Sequence, residues 1–520
     1  MYSSTSPNGC DFDLVVIGGG INGAGIARDA VGRGLRVMIC EKDDLAGHTS
    51  SASTKLIHGG LRYLEHYDFS LVRHALQERE VLLKAAPHII WPLRFILPHH
   101  QGLRPRWLIR LGLFLYDHIG GRKQLPTSNS VDLRAHVSGN ALRDEFASGF
   151  EYSDCWVQDA RLVTLNAMDA AERGCDVRVR TECIGISRGD GQWTVDLHSK
   201  LGDTRSSVTA RAIVNASGPW VEKTLDLDKE HDASHSIRLV KGSHIVVPKI
   251  FEHTYAYIFQ NGDNRVLFAV PYENNYTLLG TTDVEVDSEP GKGFIEQKEI
   301  DYICRAVSDY FKIPVSAADV VWSYSGVRPL YDDATENASK VTRDYKLDLD
   351  VRKNAPVLSV YGGKITTYRK LAEQAVDMLN DLLSIQKGSW TADATLPGGD
   401  LPGGDYDAFI RQLSAQLPWL EQSLLLDYAR NYGTRIAAIV GDAESMDALG
   451  VHFGGLLYQA EVDYLITCEW ARSADDVLWR RSKKGLHVPE SAVEKLQSYI
   501  DKHYTFTGVV PVARCSNEMA

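Results

Sequence analysis

The sequence lacks several features that would set it apart from an ordinary soluble globular protein. Its eight cysteines form no Cys-x-x-Cys pair, so we expect no disulfide framework. No uncharged apolar run approaches the roughly 20 residues that a membrane-spanning helix needs. Basic residues number 56 against 68 acidic ones, and the resulting net charge of −12 disfavours nucleic acid as a principal partner. Any contact with a membrane would therefore be peripheral.

The N-terminus and the overall composition add two further exclusions. The first ten residues have neither a basic start nor an apolar run, which disfavours a signal peptide and predicts a cytoplasmic protein. A length of 520 residues with 44% hydrophobic and 24% charged residues excludes collagen-like, coiled-coil and wholly disordered chains. Three domains, or one large α/β enzyme with a discontinuous domain, fit the length equally well.

A strand–turn–helix–strand unit is recognisable near the start of the chain. The apolar run 14–17 is typical of a buried parallel strand, and Gly18-x-Gly20-x-x-Gly23 follows it and opens a helix. In this context the spacing predicts a dinucleotide site. Gly18 allows the tight turn, Gly20 lets the backbone approach a pyrophosphate, and Gly23 lets helix and strand pack closely.

The residues after this unit predict further cofactor contacts. Glu41, 21 residues past Gly20, would accept hydrogen bonds from ribose hydroxyls and repel a 2′-phosphate, which favours FAD or NAD over NADP. The hydroxyl-rich segment 49–55 suits a loop around phosphate and ring edges. Segment 58–63, His-Gly-Gly-Leu-Arg-Tyr, would bring backbone, one cation and one phenol to a ring system, although a solvated loop fits its composition as well.

The rest of the chain divides by pattern. Residues 70–86 predict a helix, the region 236–329 is β-rich, and strand 358–361 precedes a glycine turn and a helix over 366–379. A repeated Leu-Pro-Gly-Gly-Asp within 396–405 predicts a linker, and the pattern of residues 409–502 beyond it predicts helices.

Three weaker motifs have competing interpretations. His231 and His235 have the spacing of a zinc helix, but their polar surroundings favour a solvated loop, and we expect no metal. Lys364 is not a phosphate-loop lysine, because Ile365 stands where Ser or Thr is required. The aromatic-rich segment 107–116, preceded by basic residues, fits a helix at a bilayer surface or a core helix of a cap domain.

Nine motifs carry a resemblance to a known family. They are IGGGINGAGIARDA, SSASTKLIHGGLRYLEH, GFEYSDCWVQDARL, VNASGPWV, KGSHIVVP, GTTDVE, YSGVRPL, TRDY and GGKITTYRKLAE. The chain resembles the bacterial FAD-dependent, quinone-linked respiratory glycerol-3-phosphate dehydrogenases, within the D-amino-acid-oxidase-like flavoproteins. The resemblance runs from about residue 13 to 375 and continues through Glu469-Trp470-Ala471 and Trp479-Arg480-Arg481. The repeated Leu-Pro-Gly-Gly-Asp and the long terminal tails depart from the family pattern.

Pattern and resemblance together predict an α/β fold. A Rossmann-like FAD-binding domain is expected to be interleaved with a β-rich substrate or cap domain and followed by an α-helical C-terminal domain. The expected bounds are 11–75, 150–225 and 345–390 for the FAD-binding domain, 76–149 and 226–344 for the cap, 391–408 for the linker, 409–503 for the helical domain and 504–520 for a flexible tail.

The resemblance also implies an activity. It is the oxidation of sn-glycerol 3-phosphate to dihydroxyacetone phosphate by hydride transfer to FAD, with electrons passed to a ubiquinone-type acceptor. The protein is then expected to be a homodimer, cytoplasmic and peripherally associated with the cytoplasmic membrane. The alternatives are an FAD-dependent oxidase of glycerol 3-phosphate or a related small substrate, an FAD-binding scaffold without chemistry, and a soluble NAD-dependent dehydrogenase.

Alcohol oxidation by FAD requires a base and a receptor for the phosphate. We expect His244 and Arg328 to act in catalysis, and Arg62, Tyr63, Arg343 and Lys364 to bind the substrate. The residues expected to bind FAD are Gly18, Gly20, Asn22, Gly23, Glu41, Lys42, Thr49, Ser50, Ser51, Ser53, Lys55, His58, Gly59, Gly60, Gly218, Gly363, Lys364 and Thr366.

Overall fold

A computed structural model describes most of the chain: residues 9–66, 68–121, 124–230, 237–263, 265–286, 291, 293–331 and 345–506. The strands are β1 (Phe12–Ile17), β2 (Val37–Cys40), β3 (Leu56–Ile57), β4 (Ile90–Pro98), β5 (Asn129–Asp132), β6 (Ser148–Val157), β7 (Asp176–Arg178), β8 (Thr181–Arg188), β9 (Trp193–Ser199), β10 (Thr204–Asn215), β11 (Ile237–Pro248), β12 (Ala256–Gln260), β13 (Val266–Tyr272), β14 (Tyr276–Gly280), β15 (Val284–Glu285), β16 (Trp322–Tyr331), β17 (Lys346–Asp350), β18 (Val357–Tyr361), β19 (His452–Gly454) and β20 (Leu457–Tyr458).

The α-helices are α1 (Ile21–Gly32), α2 (Phe69–Ala85), α3 (Arg106–Ile119), α4 (Asp159–Glu172), α5 (Val221–Leu225), α6 (Gln297–Ser308), α7 (Tyr368–Met378), α8 (Asn380–Leu383), α9 (Tyr406–Gln416), α10 (Gln422–Tyr432), α11 (Ile436–Val440), α12 (Gln459–Cys468) and α13 (Glu490–His503). The helix predicted over 70–86 is confirmed as α2, whose first turn is capped by Asp68 through a hydrogen bond from the Leu71 N–H. Among the described residues we find no helix long and apolar enough to cross a membrane.

The first sheet confirms the predicted Rossmann-like core. Strand β1 lies between β2 and β10, with β7 beyond β2 and β18 beyond β10, and these pairings are parallel. Leu14, Val15 and Val16 are fully buried, as expected for a strand covered on both faces. Helix α1 packs against α4 and α7 on one side of this sheet. An antiparallel strand, β17, lies at the edge beside β18, and β8 and β9 extend the sheet from β10.

The second sheet forms the β-rich cap. Its strand order is β15-β11-β14-β13-β12-β4-β6-β3, with β16 paired to β11 and β5 paired to β6. Strands β3 and β6 come from segments that the sequence placed in the FAD-binding domain, yet both lie in this sheet. The long antiparallel pairing of β11 with β16, from Ile237 opposite Tyr331 to Val246 opposite Trp322, matters for the site because each strand carries a candidate catalytic residue.

The C-terminal region is helical, as predicted, and shares a continuous apolar core with the FAD-binding domain. Within segment 391–408, expected to be a linker, residues 396–399 are buried in this junction, whereas residues 402–405 are exposed. Leu396 and Leu401 are buried, and the Leu396 N–H donates to the Ala85 carbonyl at 2.8 Å. Of the cysteines, Cys10, Cys40, Cys155, Cys175, Cys183 and Cys304 are free, whereas Cys468 is disulfide-bonded, a departure from the sequence expectation at that position.

Candidate active site

A cavity of about 520 Å³ lies between the two sheets, at the carboxyl ends of β1, β2, β10 and β18. This is the edge at which open α/β sheets bind their ligands. Sixteen of the residues expected at the site line it together: Gly18, Gly20, Asn22, Glu41, Lys42, Thr49, Ser50, Ser53, His58, Tyr63, Gly218, His244, Arg328, Gly363, Lys364 and Thr366.

Several expected site residues lie outside the lining, and their contacts explain why. The ammonium of Lys55 is held at 2.9 Å by both carboxylate oxygens of buried Asp159, so we correct its expected role to that of a structural ion pair. Gly23 lies behind the turn, where a Cβ would come within 1.9 Å of the Gly18 carbonyl oxygen. The remaining residues outside the lining are Ser51, Gly59, Gly60 and Arg62, while Arg343, His231 and His235 lie outside the described residues.

The glycine turn forms a cradle at one end of the cavity. Gly18 has a φ of +111°, and a Cβ there would lie 2.5 Å from the Ala216 carbonyl oxygen. Gly20 begins α1 without a side-chain cap, and the Ile21 N–H donates to the Ser50 hydroxyl at 3.0 Å. A helix N-terminus approached by bare backbone in this way is suited to a pyrophosphate.

Glu41 and Lys42 form the wall beside this cradle. The Glu41 carboxylate is buried and accepts hydrogen bonds from the Gly19 N–H at 2.7 Å and the Asp43 N–H at 2.8 Å. Burial raises the pKa of Glu41, while the two backbone donors oppose this shift. The Lys42 ammonium lies 3.4 Å from the centroid of the Trp220 ring, a cavity residue that sequence reasoning missed although it belongs to the VNASGPWV motif.

His244 lies at the opposite end of the cavity on β11. Its ring is buried, stacks on Tyr324 with centroids 4.9 Å apart, and has its Nε2 3.0 Å from the Thr54 hydroxyl. Burial, assisted by the charges of Arg328 and Lys55, holds the pKa of His244 well below its usual value. The imidazole is therefore neutral at pH 7 and able to accept a proton.

Arg328 reaches the same end from β16. Its guanidinium forms an ion pair with Asp283 and donates from Nη2 to the Thr281 hydroxyl at 3.3 Å. Gly242 on β11 makes room for it, because a Cβ there would lie 2.3 Å from Nη2. Thr281 and Asp283 were missed as site residues, although both belong to the GTTDVE motif.

The loop after β18 joins the remaining parts of the site. The Asn22 amide donates to the Gly362 carbonyl at 3.1 Å, and the His58 N–H donates to the Thr366 hydroxyl at 3.2 Å. The Lys364 ammonium lies 3.9 Å from the centroid of the Tyr63 ring. Asn22 Oδ1 is buried and has no hydrogen-bond partner among the described residues, as expected where a bound group supplies the missing donor.

Together these features fit FAD. The cavity offers an anion cradle at a helix N-terminus, a buried carboxylate where a ribose is expected, and a far end with a neutral imidazole and an arginine. Such an arrangement can hold a dinucleotide at one end and carry out proton transfer beside a small anionic substrate at the other.

Comparison with known proteins agrees with this geometry. A family model described as FAD dependent oxidoreductase matches residues 13–363, and one described as the C-terminal domain of alpha-glycerophosphate oxidase matches residues 389–502. The chain is 52% identical over 486 residues to the D-erythritol 1-phosphate dehydrogenase of Brucella abortus, with 93% of this chain and 96% of that protein covered.

Two further relatives extend the comparison. The chain is 49% identical over 504 residues to the glycerol-3-phosphate dehydrogenase of Pseudomonas aeruginosa, with 97% of this chain and 98% of that protein covered. The solved structure of the glycerol-3-phosphate dehydrogenase from Bacillus halodurans complexed with FAD covers 97% of this chain and 96% of its own, with a TM-score of 0.73 and 24% identity. At that identity the structural match supports the fold alone.

Proposed function

Because the chain belongs to the family of FAD-dependent glycerol-3-phosphate dehydrogenases, we propose that it oxidises sn-glycerol 3-phosphate to dihydroxyacetone phosphate. FAD is the cofactor. The observation that carries the proposal is the neutral, buried imidazole of His244 beside Arg328 at the end of the cavity opposite the pyrophosphate cradle.

The proposed chemistry divides between cofactor and protein. FAD, when bound, accepts the hydride that leaves the substrate carbon. His244 takes the hydroxyl proton, since burial, which lowers its pKa, leaves the imidazole unprotonated and its ring is fixed by Tyr324 and Thr54. Arg328, oriented by Asp283 and Thr281, stabilises the negative charge that develops on the substrate oxygen. Lys364 supplies positive charge for the phosphate from the facing loop.

A four-carbon polyol phosphate is the second candidate substrate. It is favoured by the 52% identity to a D-erythritol 1-phosphate dehydrogenase, which covers nearly the full length of both proteins. Both substrates carry a secondary alcohol and a phosphate dianion, so the same base and cations would serve either. The two candidates differ by one hydroxymethylene unit, which a pocket of suitable length could accept or reject.

Anaerobic titration of the flavin tests both candidates. We expect sn-glycerol 3-phosphate to bleach the flavin absorbance near 450 nm stoichiometrically, and we would run D-erythritol 1-phosphate in parallel. His244→Asn should slow bleaching by about 100-fold because the proton acceptor is lost. A flavin that stays oxidised with glycerol 3-phosphate but bleaches with erythritol 1-phosphate would overturn the substrate assignment, and one that bleaches with neither would overturn the proposed function.

We further propose a ubiquinone-type acceptor, reached by peripheral association with the cytoplasmic membrane from the cytoplasmic side. Helix α3 supports this proposal, because Trp107, Leu111, Phe114 and Leu115 recur on one face with exposures of 69%, 47%, 50% and 37%. Leu113 and Tyr116 on the other face are buried in the cap. Helix α3 therefore has one face packed in the cap core and one exposed apolar face that could contact a bilayer. Such an apolar face beside exposed Arg104 and Arg106 suits a bilayer interface.

Two finer points of this proposal have direct tests. An oxidase would release hydrogen peroxide in a one-to-one ratio with product in air, whereas a quinone-linked dehydrogenase would release little. The homodimer rests on the family resemblance, and sedimentation velocity of the purified holoenzyme would check it.

A further inference from the structure

A second cavity, of about 270 Å³, lies behind the wall of the FAD cavity. The C-terminal segment 475–483 lines it on one side, and the loop 47–52 and strand β16 line it on the other. This cavity takes no part in the chemistry described above. It lies where the C-terminal region meets the loop 47–52, part of which also lines the FAD cavity.

The wall between the two cavities is thin. Thr49, Ala52, Trp220 and Gly326 line both of them. A Cβ placed on Gly326 would come within 2.8 Å of the Ala52 side chain, so the wall has no room for a larger residue at this point. A molecule in the second cavity would therefore be separated from the cofactor by a single layer of residues.

Lys483 gives this cavity an unusual polar group. The residue is only 5% exposed and lines the cavity, and its ammonium lies 5.9 Å from the centroid of the Trp322 ring. Among the described residues its Nζ has no hydrogen bond or ion pair, although the charges of Asp159 and Glu273 act on it. Nearby Arg480, Arg481 and Lys484 are all paired with carboxylates. Burial lowers the pKa of Lys483 to about 7.

The backbone at Lys483 is also unfavourable for a side chain of this kind. Its φ of +59° lies in the left-handed region, which disfavours residues other than glycine, asparagine and aspartate. A buried, unpaired lysine in such a conformation costs stability. Groups that violate local rules in this way are commonly retained for a ligand.

Aromatic side chains form part of the remaining wall, and polar residues, among them His48, Ser51, Ser325, Asp475 and Arg480, form another part. Trp322 and Trp479 stack with centroids 4.4 Å apart and an interplanar angle of 17°, and Tyr324 lies beside them. Phe294 is 80% exposed at the rim, where its backbone carbonyl accepts a hydrogen bond from Lys241 at 3.0 Å. Aromatic faces beside a buried lysine fit a planar ring bearing a carbonyl oxygen, and the exposed phenylalanine fits an attached apolar chain.

We propose that this cavity binds the head group of the quinone acceptor, with Lys483 donating a hydrogen bond to a quinone carbonyl oxygen. The proposal rests on the proposed function, which requires such an acceptor. In the overall step one quinone takes up two electrons and two protons to become the hydroquinone, and FADH₂ returns to FAD. The thin wall would place the quinone close to FAD while keeping the quinone site separate from the substrate site.

Lys483→Met tests the proposal on the full-length holoenzyme. We expect the Kd of the oxidised enzyme for ubiquinone-1, measured by isothermal titration calorimetry, to rise at least ten-fold. The unfolding midpoint at pH 7 should change little, because Lys483 makes no hydrogen bond or ion pair among the described residues and burial lowers its pKa to about 7. A purely structural lysine would lower the midpoint when lost. Lys353→Met is the matched control, since Lys353 has a φ of +53° but is exposed and paired with Glu230.

Stopped-flow kinetics separate the two half-reactions. Reduction of the flavin by glycerol 3-phosphate should stay within two-fold of wild type in Lys483→Met, while reoxidation by subsaturating ubiquinone-1 should slow at least ten-fold. Phe294→Ser, a change at the exposed rim, should weaken ubiquinone-1 but not ubiquinone-0, which lacks the isoprenoid chain.

The outcomes that overturn the proposal are distinct from failure of the proposed function. A Kd for ubiquinone-1 within two-fold of wild type in both Lys483→Met and Phe294→Ser would exclude this cavity as the quinone site. Equal slowing of flavin reduction and flavin reoxidation in Lys483→Met would exclude it as well. If glycerol 3-phosphate does not reduce the flavin, the proposed substrate fails. Photochemically reduced enzyme would still report on reoxidation, and calorimetry on the oxidised enzyme would still report on the cavity.

Discussion

At the scale of single residues, burial and ion pairing determine the electrostatics of the candidate site. His244 is neutral because its ring is buried beside two cations. The guanidinium of Arg328 is oriented by Asp283 and Thr281. A proton acceptor and a fixed cation at the same end of one cavity are what alcohol oxidation by hydride transfer requires of the protein.

Arg328→Lys should test whether orientation as well as charge matters. A lysine cannot contact Asp283 and Thr281 with separate nitrogens in a planar fork. We expect kcat/KM for glycerol 3-phosphate to fall about 100-fold, or about 2.7 kcal/mol of transition-state stabilisation. Arg205→Lys, at an exposed arginine on β10, is the control. Steady-state rates within three-fold of wild type for Arg328→Lys would contradict the role given to its guanidinium.

At the scale of elements, the site is assembled from turns that follow buried strands. The turn after β1 and the loop after β18 are joined by the hydrogen bond from Asn22 to the Gly362 carbonyl. The sequence predicted both turns, because apolar strands followed by glycines are local signals. It misplaced β6, since the sheet that a strand joins depends on its partner, here β4, more than 50 residues away in sequence.

Gly18→Ala should remove much of the bound FAD. The new methyl group would lie 2.5 Å from the Ala216 carbonyl oxygen, at a φ of +111° that alanine adopts at a cost. We expect less than half the wild-type flavin per protein, measured from the absorbance near 450 nm after purification. Gly34→Ala has a comparable φ of +98° but meets no atom within 4 Å. Gly34→Ala should lose about 1–2 kcal/mol of stability and retain FAD. Equal loss of flavin in both variants would contradict the assignment of the Gly18 turn as a binding site for FAD.

The exposed face of α3 should determine membrane binding. Leu111→Asp combined with Phe114→Asp places two charges on that face, and we expect at least ten-fold less protein to float with anionic liposomes. Ile313→Asp, at a residue 67% exposed elsewhere on the surface, is the control. Unchanged flotation of the double variant would show that this face does not bind the membrane.

At the scale of the whole molecule, the C-terminal region is fastened to the FAD-binding domain by buried charges. Arg161 pairs with Glu469, and Arg481 pairs with Asp44 at 2.8 Å. His88 is fully buried in the same junction, next to the packed glycines Gly398 and Gly433. The junction therefore combines charges that need their partners with a histidine that must stay neutral.

His88→Leu should make stability less sensitive to acid. Burial, with the charges of Arg161 and Arg430, lowers the pKa of His88 to about 3, against about 6.5 in an unfolded chain. Below pH 6.5 the unfolded chain gains a proton that the folded protein does not bind, so stability is lost as the pH falls towards 3. At pH 5 the loss attributable to His88 is about 2 kcal/mol.

Unfolding midpoints at pH 7.5 and pH 5 would measure this effect. The difference between the unfolding midpoints of His88→Leu and wild type should be more favourable to the variant at pH 5 than at pH 7.5 by about 2 °C. His74→Leu, at an exposed histidine on α2, should track the wild type. A constant difference between His88→Leu and wild type at both pH values would contradict the assigned protonation.

The sequence by itself determined the cofactor unit, the fold class and sixteen of the residues that line the FAD cavity. Glycine spacing, apolar runs and turn residues act over a few positions, so they can be read without knowing the partners. Only the tertiary structure decided that Lys55 belongs to Asp159, that Arg328 is held by Asp283, and that Lys483 is left unpaired beside a second cavity. Such pairings join residues tens to hundreds of positions apart, as with Arg480 and Asp44, which are 436 positions apart, and no local pattern encodes them.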